Sequence, residues 1–176
     1  MNEKTKNLVR AGLLLALGII IPYTFHMTGL PGNIFLPMHI PVLLCGFILG
    51  EKYGLLIGFI TPIINSIISG MPPIYPIGIC MAFELSSYGL IAGLMYKNKK
   101  YNIFISLITA MIIGRLISGI TNYILLTVSG NGFVLASFLT GSFIKGIWGI
   151  IIQLILIPII IKIIENKIDK DVIING

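Results

Sequence analysis

Three ionisable side chains interrupt otherwise apolar stretches of this sequence: Glu84, Arg115 and Lys145. A charge at the centre of a membrane-spanning helix costs about 2.5–3.5 kcal/mol on insertion scales, so such groups face protein or a polar cavity and find partners there. The expected pairing is Glu84 with Arg115 or Lys145. Two chemistries are open to it: an ion pair that only orients helices, or a polar site for a solute. Two cations set against one carboxylate leave one positive charge without a protein counterion, which an anionic ligand group would supply. Lys145 has two other fates, neutrality if buried or snorkelling toward the cytoplasm.

Helical spacing extends these charges into polar stripes. Arg115, Ser118 and Asn122 fall at i, i+3 and i+7 on one face, as Glu84, Ser87 and Tyr88 share another. Lys145 shares a face with Gly141, Ser142, Trp148 and Gly149. Tyr75 and Tyr123 sit nearer the outer ends of their segments, with Asn65 more loosely placed. Their rings suit stacking on a flat ligand, although tyrosine is common at membrane interfaces in any case. The candidate substrate-binding set is therefore Glu84, Arg115, Asn122, Lys145, Tyr75, Tyr123, Trp148, His39 and Asn65. His26 and His39 flank a long uncharged connection, but a metal site needs more ligands at fixed spacing. Cys45 and Cys80 lie in apolar surroundings and read as small buried hydrophobes.

The motifs that would make the chain an enzyme in its own right are missing. It has no GxxxxGK[ST] loop for ATP and no HExxH or GxSxG constellation. A membrane enzyme using Glu84 with Arg115 or Lys145 as acid and base is one competing reading, and a self-sufficient carrier is another. Six short spans without an internal repeat are fewer than most secondary transporters use. No catalytic residue, cofactor or metal is expected.

The elements that must position these residues follow from composition. The 176 residues are 56% hydrophobic and 10% charged, with mean hydropathy +1.02. Soluble domains carry about 25% charged residues, so this chain cannot cover itself with water-facing groups. Stretches of roughly 20 apolar residues suffice to cross a bilayer core of about 30 Å. The expected fold class is an all-α membrane bundle of about six helices, one integral membrane domain over residues 1–176. The spans fall at about 8–23, 41–50, 53–69, 77–96, 103–128 and 134–164. The first, with a positive start but no convincing cleavage site, reads as a retained helix rather than a signal peptide. The second is short enough to be buried in protein. Glu51 and Lys52 read as a tight polar turn, Ser129–Gly132 as another, and three prolines at 72, 73 and 76 keep the connection before span four from being an ordinary helix.

Charge sets the orientation. Lys4, Lys6 and Arg10, then Lys52, then Lys97, Lys99 and Lys100, then Lys162, Lys167 and Lys170 mark alternate connections. The intervening connections carry no Lys, Arg, Asp or Glu. The alternation places both termini and the charged loops in the cytoplasm. That reading also accounts for the net charge of +6, since no basic face with interleaved aromatics points to nucleic acid. The connection over residues 24–40, rich in Gly, Pro, Met and His, reads as a lid rather than a passive re-entrant or surface loop, since its aromatic, Met and His residues are not those of a solvated linker. Gly12/Ala16 and Gly114/Ser118 are small-xxx-small pairs, which allow close helix approach within the bundle or against another subunit.

The chain resembles the substrate-binding S components of energy-coupling factor (ECF) vitamin transporters. The resemblance lies in size, six spans, orientation and the long first outer loop. It also lies in residues 36–50 (LPMHIPVLLCGFILG), followed by Lys52-Tyr53-Gly54 and Gly58-Phe59, which look like the family's entry into its second and third helices. Gly12/Ala16 stands at the place of the family's Ala-x-x-x-Ala motif, with Gly in place of the first Ala. The resemblance implies capture of a vitamin from outside, with the first loop closing over a site near spans four to six. Gly12 and Ala16 would dock on a transmembrane coupling subunit. Two cytoplasmic ATPase subunits would drive the complex, and the S component would topple in a bacterial-type plasma membrane to release its cargo. Family substrates include riboflavin, thiamine, biotin, folate, pantothenate, niacin, pyridoxine and cobalamin. The spare positive charge and the modest aromatic content lean to pantothenate or niacin.

Overall fold

A computed structural model describes residues 2–130 and 132–175, with side chains to Lys167. Asn131, expected in a turn, and the side chain of Lys170 lie outside the described residues. Every regular element among the described residues is a helix. The helices are α1 (Glu3–Met27), α2 (Gly32–Phe35), α3 (His39–Leu49), α4 (Glu51–Ser69), α5 (Ile79–Gly93), α6 (Ile103–Val128), α7 (Leu135–Leu139) and α8 (Ile147–Asn175). Wider π-type turns at Ile74–Gly78, Leu94–Asn98 and Thr140–Lys145 join several of them. Six stretches are long and apolar enough to cross a membrane, so the protein is a multi-pass membrane bundle. An even number of crossings returns the chain to the end it started from. The turns bearing Lys52 and Lys97–Lys100 lie at that same end.

Local chemistry sets the helix ends. The Asn2 side chain accepts a hydrogen bond from the Lys4 amide, and that of Asn102 from the Phe104 amide, each satisfying a first-turn donor. Helix α1 runs four residues past the expected end of span one. Nothing between Tyr23 and Thr28 breaks it, and the hydroxyls of Thr24 and Thr28 bond back to the carbonyls of Ile21 and Thr24. The long outer connection is consequently not a structureless loop. It is the end of α1, a reversal at Gly29 (φ 71°), and the short α2. The helix of span two, α3, begins at His39 and is almost wholly buried, and the apolar stretch long enough to cross runs from Gly32 through α2 to Leu49. The turn from α3 to α4 is Gly50 alone, at φ 99°, and Glu51 and Lys52 already belong to α4.

The larger departure is at the last span. Residues 134–164 do not form one helix: the chain breaks at Gly146 after the wide turn Thr140–Lys145, and the crossing segment starts at Ile147. Lys145 therefore precedes the span instead of lying within it.

The core centres on α3 and α5. Val42, Leu43, Cys45, Leu85, Leu107, Ala110 and Ile157 are fully enclosed. Helices α4 and α5 meet backbone to backbone at Gly54 and Gly89, where a side chain on either glycine would run into the main chain of the other. Gly114 faces the Tyr88 ring at 2.6 Å from its would-be Cβ, so the Gly114/Ser118 pair serves packing inside the bundle. Gly12 differs: it is exposed, with no atom within 4 Å of a Cβ built on it. Both cysteines are buried and free.

Candidate functional site

Helices α3, α5 and α6 each bring one polar side chain to a common point in the apolar bundle. Arg115 Nη1 lies 2.8 Å from Glu84 Oε1, and His39 Nε2 lies 3.5 Å from the same oxygen. All three are more than nine-tenths buried. The His39 ring also packs against Tyr88, with centroids 5.2 Å apart. The helical stripes explain the convergence: Ser87 and Tyr88 turn inward with Glu84, and Ser118 turns inward with Arg115.

The cluster forms the floor of a cavity of about 490 Å³ at the end of the bundle opposite the lysine-bearing turns. Its walls come from the end of α1 (Pro22, His26), from Leu30–Asn33 and Leu36–Met38, from Met71–Pro73, from Ile77 and Met81, and from Gly141 and Ser142. The lining is mostly apolar with a few convergent polar groups, the usual make-up of a small-molecule site. A smaller hollow of about 390 Å³ at the other end is lined by Phe47, Tyr96, Lys97 and Glu165, among others. Two of its polar groups are already engaged, Tyr96 with Glu165 and Lys97 with the Ile48 carbonyl, and it holds none of the buried ions.

Several polar atoms on the cavity floor have no hydrogen-bond partner: both His39 ring nitrogens, Glu84 Oε1, and Nε and Nη2 of Arg115. Buried donors and acceptors of this kind cost about 1–3 kcal/mol each when unsatisfied, and more when charged. The cluster therefore carries hydrogen-bonding capacity beyond what its own fold uses.

The structure brings together three of the nine residues expected at a site: His39, Glu84 and Arg115. The others stand elsewhere. Lys145 is exposed and does not line the cavity, because the helix break puts it ahead of the span, so the expected second cation is not part of the cluster. Trp148 is exposed near the start of the last span, where an interfacial aromatic belongs. Asn65 is buried but spends its amide on the carbonyls of Gly18 and Thr61, bracing α4 against α1. Tyr75 is exposed and its hydroxyl donates to the Leu125 carbonyl at 2.8 Å, tying the third connection to the end of α6. Asn122 is half-buried and outside the cavity lining, and Tyr123 is exposed with its ring edge-on to Phe133.

Sequence reasoning missed Met81, Asn33 and Leu36 as lining residues. Met81 precedes Glu84 by three positions and was available from helical spacing. Asn33 and Leu36 sit in and after a four-residue helix, which leaves no periodic signal.

Neither the curated proteins nor the solved structures contain a significant match to this chain. Residues 6–161 match the family described as ECF transporter, substrate-specific component. The match spans most of the 176 residues, from the first crossing through most of the last. The chain belongs to the substrate-specific components of ECF transporters.

Proposed function

We propose that this substrate-specific component, acting as one integral membrane unit, captures a small vitamin or vitamin precursor bearing a carboxylate, pantothenate first and niacin second. Family membership carries substrate capture for ECF-mediated import, together with a transmembrane coupling subunit and ATPases as partners. These are transport substrate-binding proteins, and the energy comes from the partner subunits.

The observation that carries the reading is the buried Glu84–Arg115 pair, with His39, at the floor of a mostly apolar cavity. Arg115 and His39 are the proposed binding residues, with Glu84 holding Arg115 in place. A volume of about 490 Å³ lies within the range of about 300–1,000 Å³ typical of ligand pockets. It has room for an elongated, branched acid such as pantothenate. The exposed, unobstructed Gly12 and the half-buried Ala16 on α1 support docking of the coupling subunit there. The setting is a bacterial-type plasma membrane, with the cavity facing outward.

The test is uptake of radiolabelled pantothenate into proteoliposomes holding the full chain with its coupling subunit and ATPases. ATP-dependent accumulation that is lost when this chain is omitted supports the reading. Accumulation of neither pantothenate nor nicotinate by an ATP-hydrolysing complex contradicts the cargo assignment.

A further inference from the structure

We infer that the Nε–Nη2 edge of Arg115 is the carboxylate anchor of the cavity, held in place by Glu84 and covered by Leu36. This rests on the reading of the cavity as the substrate site and adds which atoms take the ligand and what uncovers them.

A guanidinium has five N–H donors in a planar fork. In Arg115 the Nη1 end is taken up by Glu84 at 2.8 Å. Nε and Nη2 have no partner. Those two nitrogens form one side of the fork, and their N–H bonds run nearly parallel. Their spacing matches the two oxygens of a carboxylate, the arrangement in which arginine binds such groups most strongly and with most geometric specificity. A lone carbonyl oxygen fills one of the two positions and leaves the other donor unsatisfied. Glu84 is thus a positioning residue: it fixes the rotation of the guanidinium, so that the free edge faces one way.

What lies over that edge is legible at Gly146. A Cβ built there would stand 3.6 Å from Arg115 Nη2 and 3.4 Å from Leu36 Cδ1. Leu36 and the free edge therefore border the same gap at the helix break. Leu36 is also one of two non-glycine residues with positive φ among the described residues, at 51°. A residue with a Cβ is strained in that conformation. Such strain at a ligand clamp is characteristic of a segment with a second arrangement available to it. Movement of Leu36 and α2 away from Gly146 exposes the edge to the cavity. Return of the segment seals the bound carboxylate from water, where its charge-assisted bonds are strongest.

The chain has two arginines, Arg10 and Arg115, which makes a direct test practical. Arg10 is exposed near the start of α1 and serves as an internal control. The full chain, labelled with [15N]arginine in detergent, is titrated with pantothenate and, separately, with pantothenol, in which a hydroxymethyl group replaces the carboxylate. The Arg115 Nε–H signal is expected to move downfield and gain protection from exchange with pantothenate, while that of Arg10 stays in place. Pantothenol is expected to bind at least 30-fold more weakly by calorimetry. Arg115→Lys, with folding checked by its unliganded Tm, is expected to lose at least tenfold in affinity for the acid and most of the discrimination between acid and alcohol. Equal affinities for the two compounds, or an unmoved Arg115 signal at saturation with pantothenate, overturn the inference even if Arg115→Lys fails to fold. If an uncharged vitamin binds tightly and neither acid binds, solute capture stands and the carboxylate anchor falls. If no vitamin binds, the reading of the cavity falls and takes the anchor with it.

Discussion

Leu36 packs into the space left by the missing side chain of Gly149: a Cβ on that glycine would lie 2.8 Å from Leu36 Cγ. The same Cβ would stand 2.8 Å from the Phe35 carbonyl oxygen and 2.9 Å from that of Ile34. The short segment over the cavity thus rests on the last span through a notch that only glycine provides. Gly149→Leu should pry the segment up without entering the cavity. The expected outcome is faster ligand dissociation and an affinity about tenfold weaker, equivalent to about 1.4 kcal/mol, with association little changed. Stopped-flow dissociation measurements check this; an unchanged off-rate means the segment does not cover the site.

The Glu84–Arg115 pair has a stability signature separate from ligand binding. Removing one partner of a buried pair leaves the other charge uncompensated and costs about 3–5 kcal/mol. Replacing both with apolar groups removes that penalty. Glu84→Leu should therefore lower the unfolding midpoint more than Glu84→Leu/Arg115→Leu does. A denaturant titration in detergent distinguishes this from simple additivity, which would show that the two side chains do not interact.

Much of this was readable beforehand, for a definite physical reason. An ionised side chain within an apolar stretch must find a partner, so Glu84 and Arg115 declared themselves and helical spacing gave their faces. Hydropathy likewise gave six crossings, and α6 has the bounds expected of it. Hydropathy is blind, however, to a helix break inside an apolar run. Gly146 interrupts the last stretch without changing its polarity, so hydropathy alone puts Lys145 in a span that begins two residues later. The short α2 was illegible for a related reason: four residues make one turn, too few for any period to show. Asn65 illustrates a third limit, because a buried amide serves a ligand or a neighbouring carbonyl equally well until the neighbour is known.

The brace made by Asn65 yields its own prediction. Its amide bonds the Gly18 carbonyl across the α1–α4 contact at 3.0 Å. Asn65→Ala should cost about 1–3 kcal/mol, because the carbonyl loses its partner in a dry setting. Ligand affinity should be unchanged, since Asn65 does not line the cavity. Parallel thermal unfolding and calorimetry test the split; a loss of affinity at constant stability would return Asn65 to the binding site.

Gly12→Leu addresses the partner face. The open space around Gly12 accommodates a leucine without rearrangement, and leucine is the better helix former. Stability and ligand affinity should be retained while ATP-driven uptake by the reconstituted complex is lost. Uptake at the unaltered rate would place the coupling subunit on another face.

The central claim is that the cavity over Glu84 and Arg115 receives a small carboxylate vitamin. Its most direct test is thermal unfolding of the intact, monodisperse chain in detergent against a panel of water-soluble vitamins, with each stabilising compound titrated by calorimetry. The account predicts stabilisation by a single carboxylate compound, pantothenate foremost, bound at micromolar or tighter affinity and lost in Arg115→Lys. Stabilisation by an uncharged vitamin alone, or by none of the panel, contradicts it.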